Sequence, residues 1–481
     1  MPSVKKNFAW STILTVAGYI FPLITFPYIT RILGVEGIGG VQFADSVIAY
    51  LSVFAMLGIG TVGVREIAKA KGNKERLSVI YNSLITLNLI TTLFAIIALL
   101  FLIKVVPSFE SHSRLLYIGI AKILCGSLLI EWFYRGVEDF RYITICSLIV
   151  RLLYVVSVLA FVRTTDDYVV YYILTTAVTV LNAIINIIYA RHYVTFSLKG
   201  VTFRPYIKAF FILGIYMILT NLYNSFNVVY LGTKCGDIEV GYYTTATKLY
   251  AVIMSVFTAF TTVMMPRMSS LVSEGKNEEF YTMTSKSIDF LLLFCVPIIV
   301  LSEVYAPQII RIIAGASYEG SILPMRIVMP LMLIIGYEQI IVIQMLMPLR
   351  KDNSILINSS IGAATALILN FSLVPLFAAV GSAVVWCCCE TAVAISAQFF
   401  VTKYTGYRPP IIKIILGIVA YLPALLFCLF IDHYMENWLA SMITGFIFVG
   451  TYFFVVEYFI LKNRLFVSNI DAVFTRIFKN K

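Results

Sequence analysis

Apolar residues run in long stretches along nearly the whole chain, near 8–30, 38–64, 79–103, 115–134, 143–162, 168–190, 209–231, 240–265, 287–310, 325–347, 354–376, 378–402, 411–431 and 438–461. Short polar connections separate them. A helix needs ~20 apolar residues to cross a bilayer, and only helices and closed barrels satisfy their own backbone hydrogen bonds in hydrocarbon. The runs are continuous and lack the ten-residue alternation of a barrel strand. The pattern therefore predicts an all-α polytopic membrane protein with fourteen transmembrane helices. The first run follows Lys5 and Lys6, as in a signal peptide, but it is too long and no small-residue cleavage site follows it. It is read as the first span.

The pattern repeats. Leu33-Gly34 is echoed by Leu231-Gly232, Ile38-Gly39 by Val240-Gly241, and Arg65 by Arg267. The last two correspondences share an offset of 202 residues. The basic loop Lys71-Gly72-Asn73-Lys74-Glu75 likewise matches Gly275-Lys276-Asn277-Glu278-Glu279. Two copies of one membrane unit are expected: an N-terminal lobe over 1–208 with its connecting loop, and a C-terminal lobe over 209–410. Two further helices over 411–461 and a basic tail over 462–481 follow.

Composition agrees with this class: 60% of residues are hydrophobic and 13% charged, with mean hydropathy +0.91. The net charge of +11 is explained by its distribution. With fourteen spans both termini share a side, and the loops of that side hold 26 of the 36 Lys and Arg residues against 7 on the other. By the positive-inside rule both termini are cytoplasmic. No nucleic-acid partner is needed to account for the charge. In the tail, Phe466, Ile470, Val473, Phe474 and Ile477 share one helical face among basic residues, which predicts an interfacial helix on anionic lipid.

Little in the chain resembles catalytic or metal chemistry. Seven of the eight cysteines lie within apolar runs, and the consecutive Cys387, Cys388 and Cys389 point about 100° apart on a helix, so they read as packing. His112, His192 and His433 are scattered at membrane edges. There is no Walker-type loop and no cofactor motif, so transport would draw on a proton or sodium gradient, membrane potential or substrate supply. Asp166-Asp167 is the sole acidic pair on the outer side and reads as a solvated turn.

The candidate chemistry is the charge inside the spans: Asp45, Lys122, Arg151, Lys248, Glu338 and Glu390. A charge at the bilayer centre costs ~2.5–3.5 kcal/mol on insertion scales, so such residues face a cavity or a partner. Lys122, Arg151 and Lys248 have the alternative of snorkelling to the headgroups. Asp45 and Glu390 have the alternative of a static interhelical hydrogen bond. Asp45 and Lys248 occupy nearly equivalent places in the two copies, so the carboxylate of one copy is expected to face the region of the ammonium of the other. Pro22 and Pro27 bend the first span and mark a candidate hinge or a static kink. Asn221, Asn224 and Asn227 place amides at helical spacing, suited either to a sugar-binding lumen or to helix–helix bonds.

Several stretches together resemble a known family. They are Phe26-Pro27-Tyr28-Ile29-Thr30-Arg31-Ile32-Leu33-Gly34, Arg65-Glu66-Ile67-Ala68, Glu131-Trp132-Phe133-Tyr134-Arg135-Gly136-Val137-Glu138, Gly241-Tyr242-Tyr243 with Lys248, Ala306-Pro307-Gln308-Ile309-Ile310, and Asn370-Phe371 with Pro375 and Gly381. In order and span number the chain resembles the Wzx-type polysaccharide flippases of the multidrug/oligosaccharidyl-lipid/polysaccharide exporter superfamily. It departs from them at Arg135, where the family usually has Gln. The resemblance implies two six-helix lobes about a pseudo-two-fold axis with two appended helices. It also implies translocation of an undecaprenyl-pyrophosphate-linked oligosaccharide by alternating access, with a polysaccharide polymerase and chain-length machinery as partners. A lumen lined by Arg31, Lys122, Arg151 and Lys248, with Asn224 and Asn227, would attract the pyrophosphate in a low-dielectric cavity. Asp45, Glu338 and Glu390 would bind a coupling ion or neutralise these cations. Two rivals stand beside this reading: a drug/cation antiporter of the same superfamily, and a membrane glycan polymerase or ligase, which the short outer loops disfavour.

Overall fold

The computed structural model describes residues 4–70, 72–197 and 200–461, with side chains for all of these except 4–9, 11–13, 15, 16, 19, 20, 23, 216, 219, 220 and 222–224. The predicted tail helix and the side chain of Asn224 lie outside the described residues. Among the described residues there is no strand. Ten helices are long and apolar enough to cross a membrane, or eleven if the pair Ala316–Val328 and Leu331–Leu346, bent by 43°, is one span. That count is compatible with fourteen, because the longest elements merge predicted spans. α1 (Val4–Met56) covers the first span and most of the second and is broken at Gly34, and α14 (Asp352–Thr405) covers the eleventh and twelfth and is broken at Ala378.

Two compact units divide the chain, Met1–Thr244 with Leu369–Ser382, and Thr245–Ile368 with Ala383–Lys481. In the first, α1 is followed by α2 (Ile59–Lys69), α3 (Lys74–Val105), α4 (Pro107–Ser111), α5 (Ser113–Ser127), α6 (Glu131–Val137), α7 (Phe140–Phe161), α8 (Tyr168–Ala190), α9 (Ile207–Cys235) and the start of α10 (Asp237–Ser273). The second holds the rest of α10, then α11 (Asn277–Ile313), α12 (Ile322–Val328), α13 (Leu331–Ile341), most of α14, α15 (Ile411–Val419), α16 (Leu422–Tyr434) and α17 (Trp438–Val455).

Local chemistry sets the ends of these helices. Asn73 caps α3 by accepting from the Arg76 amide at 2.9 Å, and Asp139 caps α7 through the Tyr142 amide at 3.3 Å. Asp167 accepts from the amides of Arg163 at 2.9 Å and Thr164 at 2.8 Å, so half of the outer acidic pair is a turn and cap residue at the start of α8. Within the spans, hydroxyls return hydrogen bonds to their own helix, as Thr30 does to the Phe26 carbonyl at 2.9 Å. Pro22 and Pro27 both lie within α1, whose non-helical backbone is at Gly34 instead.

The internal repeat is visible in backbone geometry. Gly34 (φ 70°, ψ 178°) and Gly236 (φ 87°, ψ 179°) hold nearly the same left-handed conformation and are 202 residues apart. The counterpart of Gly34 is therefore Gly236, not Gly232. At the same offset, Gly39 and Gly241 make reciprocal contacts within the first unit. A Cβ on Gly39 would lie 1.8 Å from the Asp237 carbonyl oxygen, and one on Gly241 would lie 2.4 Å from that of Val35. The two helix starts thus cross backbone to backbone, in a locally two-fold arrangement.

The Trp-containing motif builds a cap of aromatic core at the end of this unit that bears the Lys/Arg-rich connections. α6 starts after Ile130, at φ 43°, and stops at Glu138, at φ 66°. Trp132 seats its indole over Gly63 of α2, and Tyr81, Phe133 and Tyr134 pack around it. Arg135 pairs with Glu131 at 3.0 Å on the exposed face of α6. Tyr193 and Tyr189 donate to Asp139 Oδ2 at 2.8 and 3.2 Å, which locks the α8 end onto the start of α7. Because Glu138 is exposed in a left-handed conformation, Glu138→Gly is expected to stabilise the protein by up to ~1 kcal/mol. The check is the unfolding temperature in detergent; a lower value would mean that the side chain contributes more than the strain costs.

Candidate functional site

In the first unit one pair of opposite intramembrane charges meets between α1 and α5. Asp45 on α1 accepts a hydrogen bond from Lys122 Nζ on α5, and the lysine also lies 5.6 Å from the ring centroid of Tyr172 on α8. Gly119, one turn before Lys122, leaves no room for a side chain between α5 and Ile48, and that close approach brings the two helices within reach of the pair. Lys122 is 23% and Asp45 39% exposed, so the pair is open on one side. The Tyr172 hydroxyl is buried without a hydrogen-bond partner. An anion approaching Lys122 competes with Asp45 for it. The two opposite charges compensate each other inside the membrane.

Arg151 on α7 is half-buried, and its guanidinium fills the space beside Gly18 of α1, where a Cβ would meet Nη1 at 3.2 Å. No ion pair joins it to a described carboxylate, although Glu131 contributes to its electrostatic surroundings. Arg31 lies exposed on α1, three residues before the Gly34 break. Asn227 is buried and both hydrogens of its amide are committed, to Tyr243 Oη at 3.0 Å and to the Ser382 carbonyl at 3.1 Å.

The second unit holds Lys248, half-buried on α10, and the two glutamates. Glu390 is 6% exposed and accepts from Trp386 Nε1 at 2.9 Å, one turn away on α14. The Trp386 ring meets that of Tyr250 edge-on at 5.0 Å. Glu338 on α13 falls within electrostatic range of Glu390, and both act on Tyr250. Next to Glu338, Gln339 donates to Thr258 and accepts from Thr261, each at 3.1 Å, while Tyr337 donates to Gln398 at 2.5 Å. Two acidic side chains thus lie in one neighbourhood with the Trp386 and Tyr250 rings.

The geometry pairs Asp45 with Lys122 within the first unit, while Glu390 is bonded to Trp386 in the second. Sequence reasoning missed Tyr172, Trp386 and Tyr250, since aromatic residues in an apolar run carry no signal of which face they take. Among the described residues, no group of three or more His, Cys, Asp or Glu side chains is placed to hold a metal. Cys387 and Cys388 are half-buried and exposed while Cys389 is buried, so the three diverge around α14.

Comparison with known proteins adds the following. The family model described as "Polysaccharide biosynthesis protein" matches residues 4–272. An Escherichia coli (strain K12) protein named "Putative O-antigen transporter" is 24% identical over 408 residues, spanning 83% of this chain and 97% of the relative. The solved structure titled "Lipid II flippase MurJ, inward closed conformation" superposes with a TM-score of 0.77 at 14% identity, covering 94% of this chain and 98% of that one. A multidrug resistance MATE family transporter of the MOP superfamily, solved in an outward-facing conformation, superposes with a TM-score of 0.55 at 15% identity over 82% of this chain and 94% of its own.

Proposed function

Since the chain belongs to the polysaccharide biosynthesis protein family, we propose that it is a flippase, not an enzyme. In this reading it carries undecaprenyl-pyrophosphate-linked oligosaccharide repeat units from the cytoplasmic to the outer leaflet by alternating access, for O-antigen, capsule or exopolysaccharide assembly. The observation that carries this reading is the near end-to-end match to a relative named as an O-antigen transporter. The protein sits in the inner membrane with both termini cytoplasmic, in keeping with the Lys/Arg bias of the loops. The pyrophosphate engages Lys122, Arg151, Lys248 and Arg31, and the sugars bond to lumen amides. Asp45 is the internal counterion of Lys122. Glu338 and Glu390 take up a coupling proton or sodium ion. A polymerase and its chain-length partner receive the product.

The test is transfer of an undecaprenyl-pyrophosphate oligosaccharide across proteoliposomes without ATP, scored by an impermeant sugar-modifying enzyme. Protein-dependent transfer is expected, and Lys248→Ala is expected to lower its rate at least tenfold while leaving membrane insertion intact. A wild-type rate in that variant would remove Lys248 from the site. The neighbourhood of Glu338 and Glu390 with Trp386 and Tyr250 favours one second reading, a drug/cation antiporter. Drug resistance on overexpression, without transfer of the lipid-linked sugar, would establish that reading instead.

A further inference from the structure

At the end of the first unit with few basic residues, the α4–α5 corner, the start of α10 and the second half of α1 meet at one histidine. His112 Nε2 lies 2.8 Å from Asp237 Oδ2, and Nδ1 lies 2.8 Å from the Ser108 carbonyl oxygen. A carbonyl only accepts and so does a carboxylate, so both ring nitrogens must carry hydrogen. The Ser111 hydroxyl, 3.1 Å from Nδ1, completes the shell. The imidazole also packs on Phe43 of α1, centroid to centroid 4.8 Å. His112 and Asp237 are 17% and 24% exposed, at the edge of a pocket of about 720 Å³.

We propose that His112 is a proton-dependent positioning residue: as an imidazolium it ties Asp237 to the α4–α5 corner, and its deprotonation loosens the start of α10. Asp237 is the first residue of α10, and its carbonyl oxygen is the atom that meets Gly39 in the glycine crossing. Whatever fixes Asp237 therefore fixes the register of that crossing. The ionisable groups around the pair are Glu36 of α1, Arg114 of α5, Asp166 before α8 and Tyr168 at the start of α8, which line the same pocket, and Glu110 on α4. Loss of the imidazolium leaves Asp237 facing Glu36 and Asp166 with Arg114 as the remaining cation of the pocket. Burial alone would push the imidazole pKa down, but the Asp237 and Ser108 hydrogen bonds and the Asp237 charge hold it above the ordinary 6.5. The doubly donated, charge-assisted arrangement is therefore complete below pH 6.5; as pH rises through the raised value the ring loses its charge and one of its two donors, and its hold on Asp237 weakens.

This inference needs no lipid-linked substrate, and neither does its test. The chain has three histidines, so histidine-labelled NMR of the full protein in detergent, with His112→Gln for assignment, isolates one titration. His112 is expected to titrate above 6.5, and Asp237→Asn is expected to drop it below that value. Hydrogen exchange at 237–241, corrected for intrinsic rate, is expected to rise several-fold from pH 6 to pH 9 in the wild type and to stay flat in His112→Gln. Titration at or below the ordinary value, or equal exchange profiles in the two proteins, would overturn the proposal. If His112→Gln does not fold, the Asp237→Asn shift decides alone: no shift refutes it.

Discussion

Replacing Gly39 by valine is expected to abolish folded, active protein, and alanine is expected to cost ~3 kcal/mol or more. The Cβ of either residue would sit 1.8 Å from the Asp237 carbonyl oxygen, far inside van der Waals contact. The obstacle is backbone, so no rotamer change relieves it. Gly241→Ala meets the Val35 carbonyl at 2.4 Å and is expected to fail in the same way but less severely. The control is Gly60→Ala within α2, where nothing lies within 4 Å; it is expected to be neutral or to gain up to ~1 kcal/mol of helix propensity. Unfolding temperatures and size-exclusion profiles of the four proteins provide the measurement. A Gly39→Ala protein as stable as the wild type would mean that the two helices separate at little cost.

The second large effect is expected at Lys122. Lys122→Met leaves Asp45 without its cation among tyrosines and removes an anion contact, so transfer is expected to fall at least tenfold. Asp45→Asn keeps an acceptor for Lys122 but removes the competing charge. It is expected to tighten binding of an anionic headgroup and to slow its release. Because Asp45 is 39% exposed, solvent screens the pair, and a double-mutant cycle should give a coupling of only ~1–2 kcal/mol in stability. An altered pH or ion dependence in Asp45→Asn would give the pair a part in coupling. An unchanged profile, with release unaffected, would reduce it to a fastening between α1 and α5.

The helices, their order and the repeat were legible because hydropathy and the 202-residue offset survive in the sequence. The repeat was misaligned by four residues at one point: Leu231-Gly232 looks like Leu33-Gly34, yet Gly236 has the matching backbone. Identity of letters misled there, because what is preserved is a left-handed turn. At the true offset Asp45 matches Thr247, next to Lys248, and the near-equivalence of two charges suggested that they face one region. The fold gives Asp45 a partner 77 residues away, on a helix whose rotation no one-dimensional pattern specifies. The same holds for His112 and Asp237, 125 residues apart. Buried charges were found as candidates because hydrocarbon makes them costly; which of them meet depends on helix rotation, set by small residues such as Gly119.

The Trp386–Glu390 hydrogen bond gives the protein an optical probe of its own. An indole N–H held 2.9 Å from a carboxylate has an emission spectrum and yield that depend on whether that carboxylate is charged, protonated or bound to a cation. The chain has four tryptophans, so replacing the other three by phenylalanine leaves a single intrinsic fluorophore. Protonation or cation binding at Glu390 can then be followed in real time, in a bilayer and without an attached dye.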